Sequence, residues 1–149
     1  MGLPIKLADV APRVATGAFI LYAGLGKWKA DEGTAKGLHG MASGAYPFLG
    51  RLEPRQFVKL LAAGEITLGT ALLAPVVPTA LAGAGLAAFA GGLLGMYLRT
   101  PGLHKEGSIA PSQQGVPIAK DVWMLGIGLG FVVDAVAHRR ARQCGDDQR

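Results

Sequence analysis

The stretch Leu60–Val77, LLAAGEITLGTALLAPVV, decides how the rest of the chain is interpreted. It carries a single charged residue, Glu65, inside an otherwise apolar run. A charged side chain at the centre of a membrane-spanning helix costs about 2.5–3.5 kcal/mol on insertion scales. Such an acid is tolerated where it is neutral, paired with a base or turned toward a polar cavity. The segment therefore predicts a helix whose acid faces the interior of a bundle.

The composition indicates a membrane protein. The 149 residues are 50% hydrophobic and 17% charged, and the charges concentrate between long apolar runs. A soluble domain of this size would instead carry charges along one face of each helix. The net charge of +5 comes from basic residues at the ends of apolar runs. We interpret these as headgroup anchors and exclude nucleic acid as a partner, because no recognition module is present. The single cysteine, Cys144, excludes dithiol chemistry within the chain.

Four apolar runs predict an all-α fold, an integral membrane four-helix bundle with short polar tails at both ends. It forms one domain over residues 1–149, with spans at about 13–28, 57–77, 79–98 and 118–137. The third span is the clearest, because Thr79–Leu98 carries no charge. The first lacks the small-residue cleavage pattern of a signal peptide, so we expect it to be retained. A short amphipathic helix is predicted near Asp31–Ser43, and residues 138–149 are expected to form a frayed polar tail.

Four spans place both termini on one side of the bilayer and the two long polar connections on the other. Arg139, Arg140 and Arg142 directly follow the last span, which favours cytoplasmic termini. The larger number of basic residues in and beside the connections favours the reverse orientation. We expect the termini in the cytoplasm.

The topology gathers several charged residues at the connection end of the bundle. Glu65 lies about 12 Å below that end at a rise of 1.5 Å per residue. The candidate ligand or partner pocket consists of Lys27, Glu65, Arg99, Lys120 and Asp121. A basic partner such as Lys27 is the least costly neighbour for a buried acid. Three interpretations remain open: an interior acid held by neighbouring helices, a pocket for a polar ligand or quinone, and a proton-handling group.

Small residues recur at helical spacing and predict close helix packing. They are Ala80, Ala84, Ala88 and Gly92 on the third span, with Gly126 and Gly130 on the fourth. No glycine pattern follows a predicted strand, so a nucleotide-binding loop is not expected. His39, His104 and His138 have no metal-ligand spacing, and no metal is expected.

The pattern resembles the DoxX-like family of small four-helix bacterial membrane proteins. The resemblance runs from Arg13 to Ala137 through LYAGLGKW at Leu21–Trp28, AAGEITLG at Ala62–Gly69 and KDVWMLGIG at Lys120–Gly128. It implies a multi-pass protein of the bacterial inner membrane, and some members resemble the small subunit of thiosulfate:quinone oxidoreductase. The connection at residues 29–56 is long for the family, which leaves room for a partner surface.

Three functions follow as alternatives. The first is an accessory subunit of a membrane redox or respiratory complex, in contact with the lipid bilayer and other membrane protein subunits. The second is a quinone-interacting small subunit of an oxidoreductase of the thiosulfate:quinone type. The third is a small-molecule transporter, against which the lack of an internal repeat speaks. No cofactor is expected in the chain itself, quinone is the candidate ligand, and enzymatic activity stays open.

Overall fold

The computed structural model describes residues 5–146, with side-chain surroundings up to residue 141, and that part of the chain is helical without a β-strand. The helices are α1 (Leu7–Trp28), α2 (Glu32–Ala45), α3 (Pro54–Leu73), α4 (Thr79–Arg99), α5 (Val116–Ala119) and α6 (Asp121–Asp146), with a 3₁₀ turn at Pro47–Arg51 between α2 and α3. Two antiparallel pairs, α1 with α3 and α4 with α6, make up the body of the molecule.

Glycine lets α1 and α3 approach closely. A Cβ atom on Gly69 would lie 2.6 Å from the backbone nitrogen of Leu21 and 2.8 Å from the carbonyl oxygen of Gly17. Both distances are too short for any side chain, so the two backbones touch directly at this crossing. Farther along the same interface, a Cβ on Gly24 would lie 2.9 Å from the Cβ of Glu65. The crossing therefore positions Glu65 against the last turns of α1.

The α4–α6 pair packs through small residues, but in a different register from the one the sequence suggested. A Cβ on Gly83 would lie 2.5 Å from the Cβ of Phe131, and one on Gly128 would lie 2.7 Å from the backbone nitrogen of Ala87. The small residues that the sequence predicted at this contact do not form it. Ala80 is half-buried, and the others are exposed: Ala84, Ala88, Gly92, Gly126 and Gly130. Several faces of α4 and α6 carry small residues, so spacing alone did not identify the contact face.

The polar connection after α1 folds into a helix that covers one end of the bundle. The helix predicted near Asp31–Ser43 is confirmed as α2, Glu32–Ala45. Asp31 caps it by accepting a hydrogen bond from the Thr34 amide at 2.7 Å, and this bond lowers the pKa of the Asp31 carboxyl. Ala35, Ala42 and Ala45 form its buried face, which packs against α3 and α4.

Three helices in the described part of the chain are long and apolar enough to cross a membrane. They are Pro54–Leu73, Thr79–Arg99 and the continuous stretch Val116–Ala141. Helix α1 is not among them, because Asp9, Arg13 and Lys27 interrupt its apolar sequence. The outer surfaces of the helices present large apolar side chains, including Leu81, Trp123 and Val133.

The ends of several helices differ from the ends of the predicted spans. Helix α1 begins at Leu7 rather than near Arg13, with Pro12 inside it. Helix α3 ends at Leu73, before the Ala74–Pro78 turn. Helix α6 continues through residues 138–146, where a frayed tail was expected. Arg, Ala and Gln are good helix formers, so nothing stops the helix after the apolar run. Positions 147–149 of that tail lie outside the described residues.

Candidate functional site

Lys27 and Glu65 form an ion pair inside the bundle. The Lys27 Nζ atom donates to Glu65 Oε1 at 2.9 Å, and only 4% of Glu65 is exposed. The pair joins the last turn of α1 to the middle of α3, at the crossing that Gly24 permits. The predicted pairing of the acid with Lys27 is therefore confirmed. The second carboxylate oxygen, Oε2, is buried and has no hydrogen-bond partner in the described residues.

A cavity of about 510 Å³ lies beside this pair, between the α1–α3 and α4–α6 pairs and under α2. Most of its wall is apolar. Side chains of five helices contribute Phe19, Leu38, Met41, Phe57, Leu61, Phe89, Leu93, Met96 and Met124. Four charged residues also line it: Lys27, Glu65, Lys120 and Asp121. An apolar chamber with a few convergent polar groups is the usual form of a small-molecule site.

Lys120 and Asp121 reach the cavity from the junction of α5 and α6. Asp121 is 6% exposed, and its negative charge lies in the first turn of α6, where the helix dipole favours an anion. Asp121 lines the same cavity as Lys27 and Glu65. The Lys120 Nζ atom lies 5.2 Å from the centroid of the Phe19 ring, within cation–π range. The two acids and two lysines leave no net charge on the cavity wall.

The fifth predicted site residue, Arg99, does not line the cavity. Its guanidinium carbon lies 5.0 Å from the centroid of the Tyr46 ring on the outside of the bundle. Tyr46 in turn donates to the carbonyl oxygen of Gly92 at 2.9 Å. Arg99 therefore supports the contact between the end of α2 and α4. Its link to the cavity is through Tyr46, which is part of the cavity wall.

A second apolar surface adjoins the cavity along α3 and α4. This α3–α4 groove has a volume of about 650 Å³. It is lined by Ala63, Gly64, Thr67, Leu68, Ala71, Val77, Leu81, Ala82, Gly85 and Phe89. Phe89 belongs to the walls of both the groove and the cavity. The Phe89 ring therefore lies between the two spaces.

Sequence reasoning left one feature of the site undecided and misinterpreted one residue outside the site. The first is the wall contributed by α2 and Tyr46, because the apolar side chains of this connection could either lie on the membrane surface or pack against the bundle. The second is Arg13, which was interpreted as a headgroup anchor but is 2% exposed. Its guanidinium donates to the carbonyl oxygens of Leu72, Ala71, Ala74 and Val77 and to the hydroxyl of Thr79. The residue therefore closes the end of α3 opposite the cavity.

The histidines do not form a metal centre with the acids. His39 contacts the carbonyl oxygen of Leu49 at 3.0 Å, His104 lies in the connection after α4, and His138 lies on α6. Among residues 5–141, no group of three or more potential metal ligands comes together.

The fold and the site define a class: a helical protein with three helices suited to a membrane and an apolar cavity that encloses a buried ion pair. Comparisons of the chain with protein-family models, with curated proteins and with solved structures gave no match.

Proposed function

We propose that this chain is a DoxX-like four-span protein of a bacterial inner membrane that binds a lipid-soluble, quinone-type ring compound in the cavity beside Lys27 and Glu65. One observation carries the proposal. A partly open cavity of about 510 Å³, lined mainly by apolar side chains, has a buried acid and its lysine partner among the few charged groups of its wall. A ring with polar substituents and an apolar remainder matches that distribution, and the volume lies in the range of small-molecule sites.

Helix α1 supplies the fourth span in this proposal. Its 22 residues give a length of about 33 Å, which is enough to cross the hydrocarbon core. Two of the charges that interrupt its sequence are satisfied within the bundle: Arg13 by carbonyl oxygens and Lys27 by Glu65. Lys6 donates to Asp134, so the start of α1 lies beside the far part of α6. The outward side chains, including Val14 and Leu25, are apolar.

The α3–α4 groove supports a ligand with a long apolar tail. Its small side chains leave a shallow groove along the two helices, and the Phe89 ring lies between this groove and the cavity. A membrane quinone has this shape: a polar ring joined to an extended hydrocarbon chain. The tail would lie in the groove while the ring occupies the cavity.

The test uses the full chain purified in mild detergent. Organic extraction followed by mass spectrometry reports any quinone carried from the membrane, and titration calorimetry with decylubiquinone reports affinity. Ala88 lines the cavity, so Ala88→Leu should fill it and weaken binding about tenfold or more, the equivalent of about 1.4 kcal/mol. Ala84→Leu is the matched control, because Ala84 is exposed on the same helix outside the cavity. Absence of extracted quinone together with absence of titratable binding would refute the proposal.

A role as a subunit of a redox or respiratory complex is the second candidate, and it is compatible with the first. Gly126 and Gly130 are exposed on α6, and a Cβ atom on either would meet nothing within 4 Å. Such surfaces allow a helix of another subunit to approach closely. Purification from membranes in mild detergent should then yield a stoichiometric partner. That partner should be lost in Gly126→Leu with Gly130→Leu, while Ala84→Leu retains it.

A further inference from the structure

A residue of the cavity wall, Glu65, holds a buried hydrogen-bond acceptor that the protein itself leaves unused. Glu65 has two carboxylate oxygens, and Lys27 occupies Oε1. The other, Oε2, is buried without a partner in residues 5–141, while Glu65 as a whole lines the cavity. A buried acceptor without a partner has lost its hydrogen bonds to water and has made none in their place. A ligand that donates a hydrogen bond to this oxygen is therefore stabilised more than one that donates to a group already paired.

The hydrogen-bond donors of the site, Lys27 and Lys120, do not lack partners in the way that Oε2 does. The Lys27 side chain is 24% exposed and already donates to Glu65, and Lys120 is exposed. Their remaining N–H groups can be solvated before any ligand arrives, so a ligand that only accepts hydrogen bonds gains little from them. None of the ion pairs among residues 5–141 involves Asp121, which adds a second buried acidic group to the wall.

The charges of the wall also restrict the ligand. Lys27 and Lys120 balance Glu65 and Asp121, so neither an ammonium ion nor an anion finds an excess of opposite charge in the cavity. A neutral molecule enters without leaving a net charge buried in an apolar chamber. The required ligand is therefore neutral, mainly apolar and equipped with a hydrogen-bond donor.

From these observations we infer that the cavity binds the reduced, hydroxyl-bearing form of the ring compound, a quinol, more tightly than the corresponding quinone, with Glu65 accepting the hydroxyl hydrogen. The inference rests on the proposed function. A quinol carries two O–H donors, whereas a quinone carries two carbonyl acceptors and no donor. Only the quinol satisfies the unused carboxylate oxygen. The preference concerns binding, and no electron transfer by this chain is involved.

The experiment compares three ligands with the same decyl tail on the full-length protein in detergent under anaerobic conditions. They are the quinone, the quinol and the dimethyl ether of the quinol, which keeps the ring shape and lacks the O–H donors. Calorimetry should give a dissociation constant about tenfold lower for the quinol than for either of the others, as expected for one satisfied buried acceptor. The comparison with the ether uses only the unsubstituted protein, so it does not depend on the folding of any variant.

The outcomes separate the two proposals. If none of the ligands binds, the proposed function is wrong and the inference falls with it. If quinone and quinol bind equally, or the quinone binds more tightly, the site is a ring-binding site but the inference is wrong. The reverse preference is the result expected if Glu65 holds a proton on Oε2 and donates it to a quinone carbonyl.

Glu65→Gln adds a second readout. The amide keeps the size of the side chain but presents an NH₂ donor in addition to one acceptor. The variant should reduce the quinol preference to about twofold or less, while Lys36→Met, on the outer surface of α2, should keep it near tenfold. An unchanged preference in Glu65→Gln would refute the role given to this carboxylate.

Discussion

The Arg13 Nε atom donates a hydrogen bond to the carbonyl oxygen of Leu72 at 2.8 Å, so a side chain of α1 closes the end of α3. The last carbonyl groups of a helix have no partners within that helix. Arg13 meets this need with its remaining N–H groups as well, which donate to Ala71 and Ala74. The buried arginine and the carbonyl groups at the end of α3 therefore satisfy one another at the end of the bundle opposite the cavity.

Replacing this arginine should destabilise the protein strongly. Arg13→Met keeps an apolar side chain of similar length but leaves several carbonyl groups without donors, and we expect a loss of about 3 kcal/mol in the free energy of unfolding. Unfolding by sodium dodecyl sulfate in mixed micelles, followed by circular dichroism, measures the change. Arg55→Met is the control, because Arg55 is exposed in the first turn of α3. Equal stability of the two variants would show that the Arg13 hydrogen bonds contribute nothing.

The Lys27–Glu65 pair should behave as a coupled unit. Glu65→Gln removes the counter-charge of Lys27 and should cost about 3 kcal/mol, the lower end for a broken buried pair, because Lys27 is partly exposed. Adding Lys27→Met should recover part of that loss, since the uncompensated charge is gone. A double-mutant cycle in the same unfolding assay gives the coupling energy. Strictly additive effects would contradict the pairing. The exposed Lys36–Glu32 pair serves as a reference and should show little coupling.

Replacing Gly83 of α4 and Gly126 of α6 by alanine should change the free energy of unfolding in opposite directions. At Gly83 the new methyl group would collide with Phe131, so Gly83→Ala should cost about 1–3 kcal/mol. At Gly126 the methyl group meets no atom within 4 Å, so Gly126→Ala should stabilise the helix by about 0.5–1 kcal/mol. Melting temperatures in detergent compare the two variants directly. A loss at Gly126 equal to that at Gly83 would favour the register in which Gly126 makes the contact.

Membrane topology is tested by cysteine labelling with an impermeant reagent. Lys6→Cys, Lys36→Cys and Ser108→Cys are each introduced on a Cys144→Ser background, and native Cys144 reports the last position. With four spans, positions 6 and 144 should be labelled from one side and positions 36 and 108 from the other. If α1 does not cross the bilayer, position 6 will be labelled together with 36. Labelling of 108 and 144 from the same side would contradict a spanning α6.

The sequence by itself determined the helical fold, because long apolar runs bounded by charges and proline are sufficient to form helices. It also narrowed the surroundings of Glu65, because a single acid in an apolar helix must be neutral, paired or turned toward a polar cavity. The topology made Lys27 a candidate partner, and the structure shows that the two residues pair. The sequence also predicted the amphipathic helix α2, because helix propensity and the Asp31 cap act within a few residues.

Only the tertiary structure decided which glycines are in contact, where α2 lies and what Arg13 does. Small residues occur on several faces of α4 and α6, and the packing of Phe131 against Gly83 selects one of them. An arginine beside an apolar run has the same local sequence whether it reaches the headgroups or a neighbouring helix. Its role at Arg13 depends on where α3 ends relative to α1, which is set by the close crossing of Gly69 against Gly17. The cavity likewise exists because two tightly packed helix pairs meet along a looser boundary, a property of the assembled bundle and of no single segment.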